Sequence, residues 1–74
     1  MHKLKPLKPE KIVGALKKLG FTLVRQSGSH AVYRHSDGRW TTVSIHKGKD
    51  VSKGVLRKIL KDVGLNMEGF KKYL

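Results

Sequence analysis

The sequence predicts an α+β domain of order α-β-β-β-α: a three-stranded antiparallel sheet with both helices on one face, and a possible short extra helix at the C-terminus. Three observations carry this prediction. Two stretches repeat apolar residues at helical spacing, and each stops at a glycine followed by an apolar residue. Between them the period falls to two, in three runs separated by Ser27-Gly28-Ser29 and Ser36-Asp37-Gly38-Arg39. Each helix carries one apolar stripe, so both pack against the same side of the sheet and the other side stays free.

The first helix opens at Pro9, which suits the first helical position, and Glu10 complements the positive helix end. Ile12, Val13, Leu16 and Leu19 recur along one side, with Lys11, Lys17 and Lys18 on others. Gly20 supplies a left-handed stop, and Phe21 folds back toward Leu16. The first strand runs from Phe21 to Gln26 and the second from His30 to His35. The Asp37-Gly38 pair favours a tight hairpin into the third strand, Trp40 to His46, which is rich in β-branched residues. Lys47-Gly48-Lys49 ends the sheet. Ser52 or Asp50 caps the second helix, whose stripe is Val55, Leu56, Ile59, Leu60 and Val63. Gly64-Leu65 repeats the first helix stop, and Asn66 caps a short helix through Met67, Phe70 and Leu74. No linker, internal repeat or low-complexity segment interrupts residues 1–74, which read as a single domain.

Composition limits what such a chain does. Among 74 residues there are 17 Lys and Arg against five Asp and Glu, a formal charge of +12. That charge repels itself on folding and calls for a polyanion, and a phosphate backbone releases condensed counterions when neutralised. A domain of this length buries only about 60% of the surface its unfolded chain exposes. It therefore holds a large ligand on an outer face more readily than a metabolite in a deep pocket. No apolar run approaches the ~20 residues of a spanning helix, and the N-terminus lacks the apolar core of a signal peptide. With no cysteine there is neither a disulfide framework nor a thiolate metal site. A cytoplasmic protein, with no membrane and no small-molecule cofactor among its partners, is the expectation.

Alternation assigns the faces of the sheet. Ala31, Tyr33, Val43 and Ile45 go inward. His30, Val32, Arg34, Thr42, Ser44 and His46 go outward, which puts two histidines on the polar side. Gly28 permits positive φ beside His30, and its neighbours Ser27 and Ser29 offer hydroxyls and amides. In RNA the 2′-OH attacks the adjacent phosphorus once a base removes its proton, and imidazole suits that transfer near neutral pH. Lys and Arg nearby stabilise the negative charge that gathers in the transition state. An exposed histidine in a basic domain is also, commonly, a plain surface residue or a phosphate contact.

The run Arg25-Gln26-Ser27-Gly28-Ser29-His30-Ala31-Val32-Tyr33 resembles the signature of the HicA family of mRNA interferase toxins. The similarity continues through Asp37-Gly38, Val43-Ser44-Ile45-His46, Gly54-Val55-Leu56-Arg57-Lys58-Ile59-Leu60 and Gly64-Leu65. It covers nearly the whole chain after the first few residues, in order and at natural spacing. The resemblance implies a double-stranded-RNA-binding-like fold, the topology reached above from periodicity. It further implies a metal-independent endoribonuclease that cuts mRNA, arrests translation and is silenced by a HicB-type antitoxin. The family's catalytic histidine falls on His30. One position departs: Ser44 stands where members often carry Pro in a Val-Pro-x-His segment.

The remaining candidates sort around His30. Gly28, Ser29, Arg34, His46, Lys47, Lys49, Lys53, Arg57 and Lys58 are the expected RNA contacts, the last five grouped at the loop and start of the second helix. His46 binds phosphate, serves as the acid, or closes the strand end. His35 reads as a surface residue and His2 as part of a frayed terminus. A metal site built from His30 and His46 is not expected, since two histidines alone do not complete a shell. Trp40 reads as packing at a sheet edge more readily than as a stacking platform for a base, and Tyr33 as core. Two other classes compete with the ribonuclease: a double-stranded-RNA-binding module without catalysis, and a regulator acting only through a protein partner.

Overall fold

The computed structural model describes residues 5–74, so His2 and the terminus around it lie outside the described residues. Helix α1 spans Pro9–Lys18, followed by strands β1 (Thr22–Ser27), β2 (His30–Arg34) and β3 (Trp40–Ser44), then helices α2 (Lys53–Val63) and α3 (Met67–Lys71). The strands form an antiparallel meander in the order β1-β2-β3. This is the α+β class read from the sequence, with the double-stranded-RNA-binding-like arrangement of helices on one side of the sheet.

Local signals account for the helix ends. Pro9 opens α1 at the position where a missing N–H costs nothing. At its far end Gly20, at φ +100°, donates to the Lys17 carbonyl at 3.1 Å, and Phe21 donates to Leu16 at 2.9 Å. This paired bonding is the Schellman closure, and it swings Phe21 into the core instead of into β1. α2 ends the same way, Gly64 donating to Lys61 and Leu65 to Leu60. Ser52 caps α2, accepting from the Val55 amide at 3.3 Å, and Asn66 caps α3 through the Gly69 amide at 2.8 Å. A five-residue helix is not stable alone. α3 is held by Phe70, which is fully buried.

The core lies between the helices and the inward side of the sheet. Ile12, Ala15, Leu16 and Phe21 meet Ala31, Tyr33 and Val43 from one side, and Leu56, Ile59, Leu60 and Val63 complete it. Truncating a buried leucine such as Leu56 to Ala removes about 2–5 kcal/mol. Among the described residues one polar side chain is buried with them: Thr41, whose hydroxyl donates to Asp62 Oδ2 at 2.9 Å. Asp62 also takes the Lys58 ammonium at 3.1 Å, so α2 is tied to β3 through one carboxylate.

Non-local contacts decide three further features. Leu7 and Val51 exchange backbone hydrogen bonds of 3.2 and 2.6 Å, which brings the segments entering α1 and α2 together. Since α1 leads through Gly20 directly into Thr22, both helices begin at the end of the sheet where β1 ends, β2 begins and β3 ends. Helices α1 and α2 lie against β3. β1 is left uncovered, and all six of its residues are exposed. Finally, the register shifts between Leu23 and Arg25, so Val24 is an extra residue in the β1–β2 pairing. Such a bulge strengthens the local twist of an edge strand and blunts it against pairing with other chains.

Several sequence expectations shift. β1 starts at Thr22 because the helix closure takes Phe21. β2 stops at Arg34, since the His35 amide turns to the Arg39 carbonyl at 2.8 Å to close the hairpin. β3 stops at Ser44, where Ile45 donates to the Ser29 carbonyl at 2.6 Å. His35 is not a free surface residue: it follows Ala31 and Tyr33 in the inward phase, and its half-buried ring packs on Phe21. Trp40 does not pack at the sheet edge but stands 57% exposed on the open face. No helix among the described residues is long and apolar enough to cross a membrane.

Candidate functional site

The outward side of the sheet carries the residues that alternation placed there. On β2, Ala31 and Tyr33 are buried, while His30 and Arg34 are exposed and Val32 is half-buried. His30 pairs with Ser27 on β1 and with Ser44 on β3, so it is flanked by two hydroxyl side chains. The turn before it is two residues long. Gly28 sits at φ +57° with open space where a Cβ would stand, and Ser29 anchors the turn by accepting from Ile45. A backbone can therefore approach His30 closely across Gly28, where a larger residue would be strained.

His46 lies at the same end of the sheet, one residue after Ile45. It is exposed, and the turn that follows is closed by the Lys49 amide donating to the His46 carbonyl at 3.0 Å. Lys47 and Lys49 are exposed on this turn, which leads from the sheet to α2. The structure thus brings Gly28, Ser29, His30, His46, Lys47 and Lys49 to one end. It does not bring Arg34 there. Arg34 stands at the far end of β2, four residues from His30 and opposite Trp40.

The three α2 cations are not equivalent. Lys53 and Arg57 are four residues apart near the start of the helix, on one exposed side. Lys58 is committed to Asp62 one turn further on. All three belong to the helix layer, behind the sheet as seen from His30. The molecule is only 17 Å thick along its shortest axis, so a polyanion passing around the sheet end meets both layers. The same end carries the positive poles of both long helices.

Sequence reasoning passed over one cation of the open face. Arg25 pairs with Val32 and so belongs to the side that bears His30 and Arg34. The bulge at Val24 hides this, because one extra residue breaks the alternation on which a face assignment rests. Arg39 was also unassigned, and its role is structural. It donates to Asp37 Oδ2 at 2.8 Å and to the Val63 carbonyl, and it sits 5.3 Å from the centroid of Phe21. The Asp37 carboxyl is held below its ordinary range, first by the Arg39 amide and then by its guanidinium, with partial burial opposing. Among the described residues no group of three His, Cys, Asp or Glu side chains converges as a metal site would require.

Fold and site together define a small basic domain of the double-stranded-RNA-binding-like class, with a histidine exposed on its open sheet face. A family model described as the HicA toxin of bacterial toxin-antitoxin matches residues 9–65, from the start of α1 to the residue after the α2 stop. The chain belongs to the HicA toxin family. It is the toxin of a toxin–antitoxin system, and membership implies a cognate antitoxin as its partner. No curated protein matches the chain.

Proposed function

We propose that this toxin is a cytoplasmic endoribonuclease that cuts mRNA without a metal ion and is silenced by a HicB-type antitoxin. His30 is the proton-transfer group. The observation that carries the reading is the setting of His30 within a HicA toxin chain: exposed, flanked by Ser27 and Ser44, and adjoining the Gly28 turn. His30 takes the proton of a ribose 2′-OH as its oxygen bonds to the adjacent phosphorus. The bond from phosphorus to the 5′-oxygen breaks, and that oxygen receives a proton from an acid or from water. His46 stands at the same sheet end to supply it. The products are a 2′,3′-cyclic phosphate and a 5′-hydroxyl. Gly28, Ser29, Lys47, Lys49, Lys53 and Arg57 hold the RNA, with Arg34 gripping it further along the sheet and Lys58 contributing less.

The test is incubation of wild-type and His30→Ala protein with RNA in excess EDTA, followed by analysis of the new ends. Chelation-resistant cutting that leaves 5′-hydroxyls, and that is lost in His30→Ala, supports the proposal. Ends carrying 5′-phosphate, or activity that EDTA abolishes and magnesium restores, would rule out attack by the 2′-OH. A wild-type protein that binds RNA but never cuts it would instead be the non-catalytic binding module.

A further inference from the structure

The open sheet face bears an apolar patch that neither the core nor the proton-transfer site uses. Trp40 is 57% exposed and Val24 is 56% exposed; both line one shallow groove of about 400 Å³ with Val32, Arg34 and Gly38. Trp40 pairs directly with Arg34, and the neighbouring outward pair is Val32 with Thr42. The bulge at Val24 sets Val24 into this groove, and Arg34 supplies a guanidinium to its lining. The groove is open to solvent, unlike the closed pockets in which protein side chains anchor. An exposed ring beside a guanidinium matches the two surfaces of an unpaired nucleotide, a flat π-face and an anionic backbone. A duplex hides its base faces and cannot use such a platform.

From this arrangement we infer that Trp40, with Val24 and Val32 as floor and Arg34 as flank, stacks an unpaired base of the RNA and makes the toxin select single-stranded RNA. The inference rests on the RNA substrate proposed above. Its position sets the distance to the cut. Arg34 and its partner Trp40 lie four residues along the strand from His30, about 13 Å at the usual strand rise. That is roughly four nucleotides of a stacked strand at about 3.4 Å each, and fewer if the strand is extended. The stacked base is therefore a few nucleotides from the scissile phosphate, and the toxin reads unpairing there as well as at the cut.

Trp40 is the single tryptophan of the chain, so its fluorescence reports the platform directly. Wild-type protein is titrated with a single-stranded 2′-O-methyl oligonucleotide, which lacks the attacking hydroxyl, with its blunt duplex, and with polyphosphate. The single strand is expected to quench Trp40, while the duplex and polyphosphate leave it nearly unchanged. Trp40→Ala should bind the single strand roughly 5- to 150-fold more weakly, the range for loss of one stacked base, and the duplex as well as before. Trp40→Phe should recover most of the loss, which also excludes a folding defect. Equal quenching by duplex or polyphosphate, or undiminished single-strand binding by Trp40→Ala, would overturn the inference. So would a Trp40→Ala protein that keeps RNA but loses the antitoxin, since the patch would then be a protein site. The two proposals fail separately: quenching by the single strand without cutting of ordinary RNA sinks the ribonuclease alone, and cutting that ignores Trp40 sinks the platform alone.

Discussion

His35 stands edge-on to Phe21, with ring centroids 5.2 Å apart and planes at 67°. The contact joins the β2–β3 hairpin to the turn that ends α1. It adds to the demand for glycine that the φ of +100° already makes, since a Cβ on Gly20 would stand 3.0 Å from His35 Nε2. With the ring hydrogen on Nε2, Nδ1 accepts from the Asp37 amide at 3.1 Å. The same nitrogen is 3.2 Å from Asp37 Oδ1, a contact it makes as the donor whenever it carries the hydrogen.

His35→Ala should therefore lower stability by about 1–2 kcal/mol, the loss of one aromatic pair and one local hydrogen bond. Cutting per folded molecule should stay unchanged, because His35 faces away from His30. Chemical denaturation beside a single-turnover cleavage assay separates the two effects. A variant as stable as wild type would mean that the ring contact adds nothing.

The lowered Asp37 carboxyl makes the hairpin acid-sensitive. A group whose folded value lies below its unfolded one adds stability above the unfolded value, and loses it as pH falls through the folded one. Wild-type protein should thus lose melting temperature between about pH 5 and pH 2 more steeply than Asp37→Asn, which has no proton to take up. Parallel slopes in thermal melts across that range would contradict the assignment.

Salt dependence separates the α2 cations. Lys53→Ala and Arg57→Ala should each reduce the slope of log affinity against log salt by about one, because each frees one phosphate contact. Lys58→Ala should change that slope least, since its ammonium is engaged by Asp62. Titrations of RNA at several salt concentrations decide it. An equal loss for all three would show that the Asp62 pair opens when RNA binds.

His30→Ala should fold as wild type does, since the side chain is exposed, and should still bind RNA through the untouched cations. Cutting should fall by roughly 10²–10⁴-fold, the usual cost of losing a general acid or base. Expression of the variant should no longer arrest growth. A folded His30→Ala protein that cuts at the wild-type rate would move the assignment to His46.

Helices, strands and turns were legible because their signals are local. The stripes of α1 and α2, the stops at Gly20 and Gly64, the Asp37-Gly38 hairpin and the Asn66 cap each lie within a few residues of what they control. Alternation on β2 and β3 was enough to place Ala31, Tyr33 and Val43 inside and His30 and Arg34 outside. The proposed chemistry of His30 drew on the same face assignment.

What the sequence determined by itself was thus the order of elements, the two faces of β2 and β3, and the surplus of positive charge. Tertiary structure alone decided where the helices lie over the sheet, and several consequences follow from it. With the helices against β3, β1 is bare and the Val24 bulge exposes Val24 and Arg25 on the open face. His35 is drawn under the hairpin against Phe21, while Trp40 is left in solvent. The Leu7–Val51 bridge joins segments 44 residues apart in the chain, so both helices begin at the His30 end. Lys58 is tied to Asp62, which also holds Thr41 across from α2. No period or motif encodes these outcomes, because each depends on which surfaces remain uncovered once distant segments have packed.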